Sequence, residues 1–312
     1  MPRPQSNNVI LDFVIPDGAT DQYISIPQAM SLLNRKSYRD GYMYSVDYME
    51  FIGRAGDILT VGKIPEGYTT IRAWQMGFEA WKNQRHNAME ETPGMSPGKW
   101  ADFKCKFDVS DNLANRLRPC GLTSGGGMSL LITTGSNWEA SSLQVNDAGA
   151  ATTSQVFVGM LGPVTASYGA LCQTWGNTRA GTVAPQPLIP GLASDSWITK
   201  TGEESSEMAE DVLNVIEDDN DFPPYANEED HTLTPIYVGG ELTAPGGVMV
   251  DTTVLGTTGR PSSMNGGLIP LGQLKVYPSW VDESPGPSRI LRIHCTRGTY
   301  HGLAAMKMGD FN

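Results

Sequence analysis

Thirty-five glycines and 21 prolines are spread through this chain of 312 residues, making almost a fifth of it, against ~12% in average usage. Each costs a helix interior ~1 to 3 kcal/mol, so a helical bundle is excluded first. Short strands joined by turns and long loops are what such a chain can form. Roughly 100–200 residues per domain is a soft prior, and β-sandwiches run past 200 as one unit. The expected fold class is therefore mainly β: a single jelly roll, or two-sheet antiparallel β-sandwich, with helices in its insertions. One domain is expected over residues 1–312, with an acidic insertion at about 201–230.

Hydropathy patterning gives the elements. Strands are predicted at 8–14, 42–52, 57–64, 101–109, 128–134, 140–145, 154–160, 233–238, 247–254, 272–277, 289–296 and 301–308. A short helix opens at Ile26-Pro27, with the proline at its tolerated first position, and runs to about Asn34. The clearest helix covers 69–85, where Ile71, Trp74, Phe78 and Trp81 form one apolar stripe expected to pack on a sheet. Another is predicted at about 204–217.

Charge is unevenly placed. Between Thr201 and Asp230 lie twelve acids and no Lys or Arg, while the remainder holds 22 of each sign. The net charge of −12 is thus one acidic segment on a balanced body. Within it, Asp218, Asp219 and Asp221 are the best metal candidates, because clustered carboxylates suit a hard cation such as Ca²⁺. The EF-hand pattern is not met, and a solvated acidic loop is the plainer reading. No other cofactor is implied. The four cysteines (Cys105, Cys120, Cys172, Cys295) are widely spaced, as free thiols in a reducing compartment would be. No apolar run approaches the ~18–20 residues of a membrane span, and Met1–Val14 has no signal-peptide core. The chain is expected to be made as a soluble protein.

Catalytic signatures fail on context, so no catalytic residues are assigned and an enzyme is not expected. Gly94-Met95-Ser96-Pro97-Gly98 matches G-x-S-x-G, but Pro97 lacks the N–H that an oxyanion hole needs there. Thr123 to Gly127 lacks the Lys-Ser/Thr and the βαβ setting of a phosphate loop. His86, His231, His294 and His301 show no metal-binding spacing.

A nucleic-acid partner needs a basic footprint. Arg35, Lys36 and Arg39 follow the first helix, Lys104 and Lys106 share a strand face, and Arg116 and Arg118 do so if that stretch is extended. These seven are the candidate genome-facing cations.

The run Tyr23-Ile24-Ser25-Ile26-Pro27 through Leu32 to Gly41, then Trp74-Gln75 through Trp81-Lys82-Asn83-Gln84, resembles the N-terminal half of capsid proteins of small circular single-stranded DNA viruses of the Rep-encoding, environmental type. Gly298-Thr299-Tyr300-His301-Gly302-Leu303-Ala304-Ala305 resembles their closing strand, and Thr243 to Gly247 is loosely similar. The resemblance implies a jelly roll that assembles with copies of itself into an icosahedral shell, located in the virion, around a single-stranded DNA genome. Such capsids often carry a basic N-terminal arm. Here the first 34 residues hold only Arg3, so neutralisation would fall to patches such as Arg35, Lys36 and Arg39, to cations, or to another protein. The alternative is a lectin-like β-sandwich with Trp138, Trp175 and Trp197 as sugar platforms and the acidic loop as a calcium site.

Overall fold

The computed structural model describes residues 8–18, 20–91, 101–122, 128–130, 138–146, 153–165, 167–175, 247–257, 260–282 and 289–310. In chain order the elements are β1 (Ile10–Ile15), β2 (Gln22–Ser25), α1 (Ile26–Asn34), β3 (Tyr42–Ile52), β4 (Ile58–Lys63), α2 (Tyr68–Glu91), β5 (Cys120–Leu122), β6 (Met128–Leu130), β7 (Ser142–Asn146), β8 (Thr153–Gly159), β9 (Tyr168–Ala170), β10 (Val248–Val254), β11 (Ser262–Ile269), β12 (Gln273–Ser279), β13 (Arg289–Cys295), β14 (Arg297–Tyr300) and β15 (Ala305–Lys307). The predicted helix at 204–217 and strand at 233–238 lie outside the described residues. Two compact units divide the chain. The first comprises Met1–Glu66, Ser110–Glu139 and Gly247–Phe311, and the second Gly67–Val109 with Ala140–Gly246 and Asn312.

The first unit is a jelly roll. One sheet has the order β1-β13-β3-β11, with β15 also pairing β3, and the other has β10-β4-β12-β2. Numbering only these eight strands gives 1-8-3-6 and 5-4-7-2, the two interleaved Greek keys of an antiparallel jelly roll. Every pairing in both sheets is antiparallel. The core lies between the sheets: Phe13, Phe51, Met264 and Leu291 from one meet Ile24, Leu59, Leu274 and Val276 from the other. β13 shows why these residues make a strand, since its side chains alternate buried and half-buried from Arg289 to Cys295. In β3 the buried phase shifts between Val46 and Met49, because the register against β13 slips at His294/Cys295 and bulges Asp47 outward.

Helix α1 starts where Ser25 accepts a hydrogen bond from the Gln28 amide at 3.3 Å and Pro27 sits in the first turn. It ends at Arg35, whose backbone is left-handed (φ 53°). The outer edge of β2 is not open. The Tyr23 amide donates to the Asn115 carbonyl at 2.9 Å, and the Leu117 amide donates to the Tyr23 carbonyl at 2.8 Å.

The second unit contains α2 and the sheet β7-β8-β9, in which β8 and β9 are parallel. Of the predicted stripe, Ile71 and Trp74 are buried and Phe78 and Trp81 half-buried. Trp74, Phe78 and Trp81 gather around Phe103, with ring centroids 5.7–6.2 Å from it. Gln84 pairs with the edge strand β7 through both ends of its amide, donating to the Gln144 carbonyl at 2.7 Å and accepting from the Gln144 amide at 3.1 Å.

Two predicted strands differ. Residues 101–109 form no strand: burial alternates from 102 to 107, the one bridge is Lys106 to Gly159, and the chain bends at 107–108 and turns at 109. Residues 301–308 are not one strand: His301 and Gly302 turn between β14 and β15, because both have positive φ.

Candidate functional site

The jelly roll gathers tyrosines and cations at one corner. The chain leaving α1 (residues 35–41) lies against the β14–β15 turn, and the contact is made by aromatic side chains. Tyr300 stacks on Tyr42, with centroids 4.1 Å apart, and meets Tyr38 and Tyr44 edge-on at 6.1 and 6.3 Å. The buried Tyr38 hydroxyl donates to the His301 carbonyl at 3.0 Å, and burial raises its phenol pKa further, partly opposed by a hydrogen bond from Asn34. The Arg39 amide donates to the Tyr300 hydroxyl at 3.1 Å, and the Tyr44 hydroxyl donates to the Arg39 carbonyl at 2.7 Å. The two segments are therefore locked through backbone groups, which leaves the side chains of Arg35 and Arg39 exposed. The exposed Lys307 pairs with Tyr42 across β15 and β3, and the exposed Arg297 opens β14, the strand that ends at Tyr300. Lys36 is half-exposed.

This corner unites one predicted patch, Arg35, Lys36 and Arg39, with four residues that charge patterning does not select: Arg297, Tyr300, His301 and Lys307. They are more than 250 positions away in sequence, and the pairing of β13 and β15 with β3 brings them near.

The other candidates are placed differently. Arg116 is a correction. Its Nε and Nη2 donate to the two Asp111 carboxylate oxygens, both at 2.7 Å, with both side chains buried. Burial works to lower the guanidinium pKa, but the Asp111 hydrogen bonds and the Asp40 charge more than offset it. That cation is spent inside the fold and is not presented to a polyanion. Arg118 is half-buried. Lys104 and Lys106 do share a half-exposed face, opposite buried Phe103, Cys105 and Phe107, and the Lys106 ammonium lies 5.3 Å from the Phe157 ring centroid. They belong to the second unit, whereas Arg35, Lys36 and Arg39 belong to the first.

Asp218, Asp219 and Asp221 lie outside the described residues, as do Trp197 and the motifs at 94–98 and 123–127. Among the described residues no group of three or more His, Cys, Asp or Glu could hold a metal ion, and no helix is long and apolar enough to cross a membrane. Trp175 is 3% exposed and packs edge-on against Tyr68 at 6.0 Å, so its ring offers no face to a sugar. The four cysteines are thiols, with no disulfide among them.

A second surface stands out on the sheet β10-β4-β12-β2. Met249 is 62% exposed, Val254 59%, and Val281, just past β12, 72%. Ile58, directly opposite Val254 in the register, is also exposed. Met249 lies opposite Gly62, further along the same strand pair, beyond the hydrogen-bonded Thr60 and Thr252.

Compared with known proteins, the chain matches no family model, no curated protein and no solved structure.

Proposed function

We propose that this chain is the shell-forming subunit of a small virus, a structural protein that assembles with copies of itself into an icosahedral virion around a nucleic-acid genome. The observation that carries the reading is the strand order of the two sheets, an eight-stranded jelly roll, an architecture used by viral capsid domains and by lectins. Fold alone does not give function, so the choice between those uses rests on the surface. The exposed Ile58, Val254 and Met249 on one sheet face suit lateral contact between subunits, whereas a sugar site would need projecting rings, and Trp175 is buried. The resemblance of residues 23–41, 74–84 and 298–305 to capsid proteins of small single-stranded DNA viruses supports the same side. The acidic segment, 201–230, suits an outer or inter-subunit position, since facing a polyanionic genome would be repulsive. Its cluster Asp218, Asp219 and Asp221 could take Ca²⁺ between neighbouring subunits.

Negative-stain electron microscopy of the purified full chain near neutral pH, with and without calcium, tests the reading. Uniform closed particles in either condition are expected. Monomers and small oligomers alone in both would overturn it and favour a lectin-like module.

A further inference from the structure

Among the described residues, three that are not glycine have a left-handed backbone: Arg35 (φ 53°), Leu271 (φ 55°) and His301 (φ 49°). Leu271 is buried. The other two are exposed and border the same tyrosine cluster. Tyr38 links them: its ring meets the His301 ring edge-on at 5.6 Å, and its hydroxyl accepts from the side-chain Nδ2 of Asn34, the residue before Arg35, at 3.4 Å. In this backbone region a Cβ is crowded, and glycine or asparagine is the comfortable choice. This chain instead carries a guanidinium at one position and an imidazole at the other. Both residues are exposed, and the His301 ring rests against Tyr300 as well, with centroids 4.8 Å apart. Strained residues of this kind collect where a ligand is held.

Arg39, exposed, is tied to the half-exposed Tyr300 by its amide. The exposed Lys307 lies opposite Tyr42, and the exposed Arg297 begins the strand that ends at Tyr300. The carboxylates of these segments are Asp40, which is buried and electrostatically coupled to Arg116, and Asp310, which is exposed. Positive side chains therefore outnumber exposed carboxylates, and aromatic rings lie among them. That combination fits phosphates together with unpaired bases.

We propose that this corner binds single-stranded nucleic acid, with Arg35, Arg39, Arg297 and Lys307 on the phosphates and Tyr300 and His301 against the bases. The inference rests on the shell reading for the source of the strand, which would be the enclosed genome. Duplex is the poorer ligand, because its bases are already stacked and cannot reach the rings.

The test measures fluorescence anisotropy of a labelled oligothymidylate, and of a duplex of equal length, with the full chain freed of nucleic acid and over a range of salt. The wild type should prefer the single strand, with affinity falling linearly in log–log salt. Arg35→Gly with His301→Gly should weaken binding about tenfold and flatten the salt slope by roughly 0.7 for each phosphate no longer neutralised. The melting temperature of that double variant should be unchanged or higher, since glycine relieves both backbones. Weaker binding at undiminished stability is a result that a merely structural role would not give. Arg39→Gln with Lys307→Gln is the second variant, needed if the glycine pair melts early, and it should also flatten the slope. Unchanged affinity and slope in both variants, or equal affinity for duplex, would overturn the proposal. Closed particles whose subunits ignore the oligonucleotide would sink this site and leave the shell standing. Oligonucleotide binding without particles would do the reverse.

Discussion

Arg289 donates through Nε and Nη2 to both carboxylate oxygens of Asp57, at 2.7 and 3.2 Å, and both side chains are fully buried. The pair is the hub of one end of the jelly roll. Nη1 of the same guanidinium reaches Asp17 in the β1–β2 connection, and Nη2 also donates to the Asp282 carbonyl after β12 at 2.7 Å. The Trp280 ring covers its carbon at 4.3 Å. Beside it, the Leu255 amide after β10 donates to the Asp57 carbonyl at 2.9 Å. One arginine thus holds connections from several strand pairs. Arg289→Met strands a buried Asp57 and should cost about 3–5 kcal/mol, read by denaturant unfolding. Arg289→Met with Asp57→Leu should recover most of that loss, because replacing both partners removes the unpaired charge. A double variant no more stable than the single one would mean that the loop geometry, not the charge, is what Arg289 supplies.

The same pair sets an acid dependence. Burial works to raise the Asp57 carboxyl, but hydrogen bonds from Arg289 and from the Arg54 amide, with the Arg289 charge, more than offset it and hold its pKa below the ordinary value. A carboxylate depressed in the folded state stabilises fully above its unfolded pKa, about 3.9 for Asp. That stability is lost as pH falls through the folded value. The melting temperature of the wild type should therefore drop below about pH 4 more steeply than that of Asp57→Asn. Parallel curves would place the acid sensitivity in other carboxylates.

Much of this fold is legible in the sequence, and the exceptions have physical causes. β13 announces itself by the alternation of Leu291, Ile293 and Cys295 with Arg292 and His294, and α2 by the spacing of Ile71, Trp74, Phe78 and Trp81. β11 escapes prediction, because Asn265-Gly266-Gly267 reads locally as a turn. Gly266 is there since a Cβ would run into the backbone oxygens of Val46 and Asp47 on β3, a demand of tertiary approach that overrides strand propensity. β2 has four residues, all buried, so no alternation marks it. Arg116 reads as a surface cation because its partner Asp111 sits five residues back, a spacing regular in neither helix nor strand. The corner at Tyr300 depends on β13 and β15 pairing with β3, contacts between distant parts of the chain that no local pattern encodes.

Trp74 is buried and stacks on Phe78 at 5.2 Å, whereas Phe78 and Trp81 keep some exposure. Trp74→Ala should cost about 3–5 kcal/mol, and Trp81→Ala clearly less, both read from thermal unfolding. An unchanged melting temperature in Trp74→Ala would refute the packing described.

Gly77 sets two effects of known sign against each other. Glycine to alanine inside a helix gains ~1 kcal/mol in propensity. A Cβ at this position would stand 2.5 Å from Cδ2 and 3.0 Å from Cδ1 of Leu171, which is fully buried. Overpacking of this kind costs about 1–3 kcal/mol, so Gly77→Ala should be net destabilising. A higher melting temperature would show that Leu171 can find another rotamer.

Gln84 gives the edge of β7 a partner that the sheet does not. Its amide makes the two hydrogen bonds that a neighbouring strand would make to Gln144, and each such bond contributes about 0.5–1.5 kcal/mol net. Gln84→Leu keeps helix propensity and removes both. It should lower global stability slightly, but expose the Gln144 amide to solvent. Hydrogen exchange followed by mass spectrometry should then show faster labelling of the β7 peptide, with the β8 peptide unchanged because its pairing with β7 persists. Equal protection in wild type and variant would mean that β7 is held by β8 alone and that the helix contributes nothing to its edge.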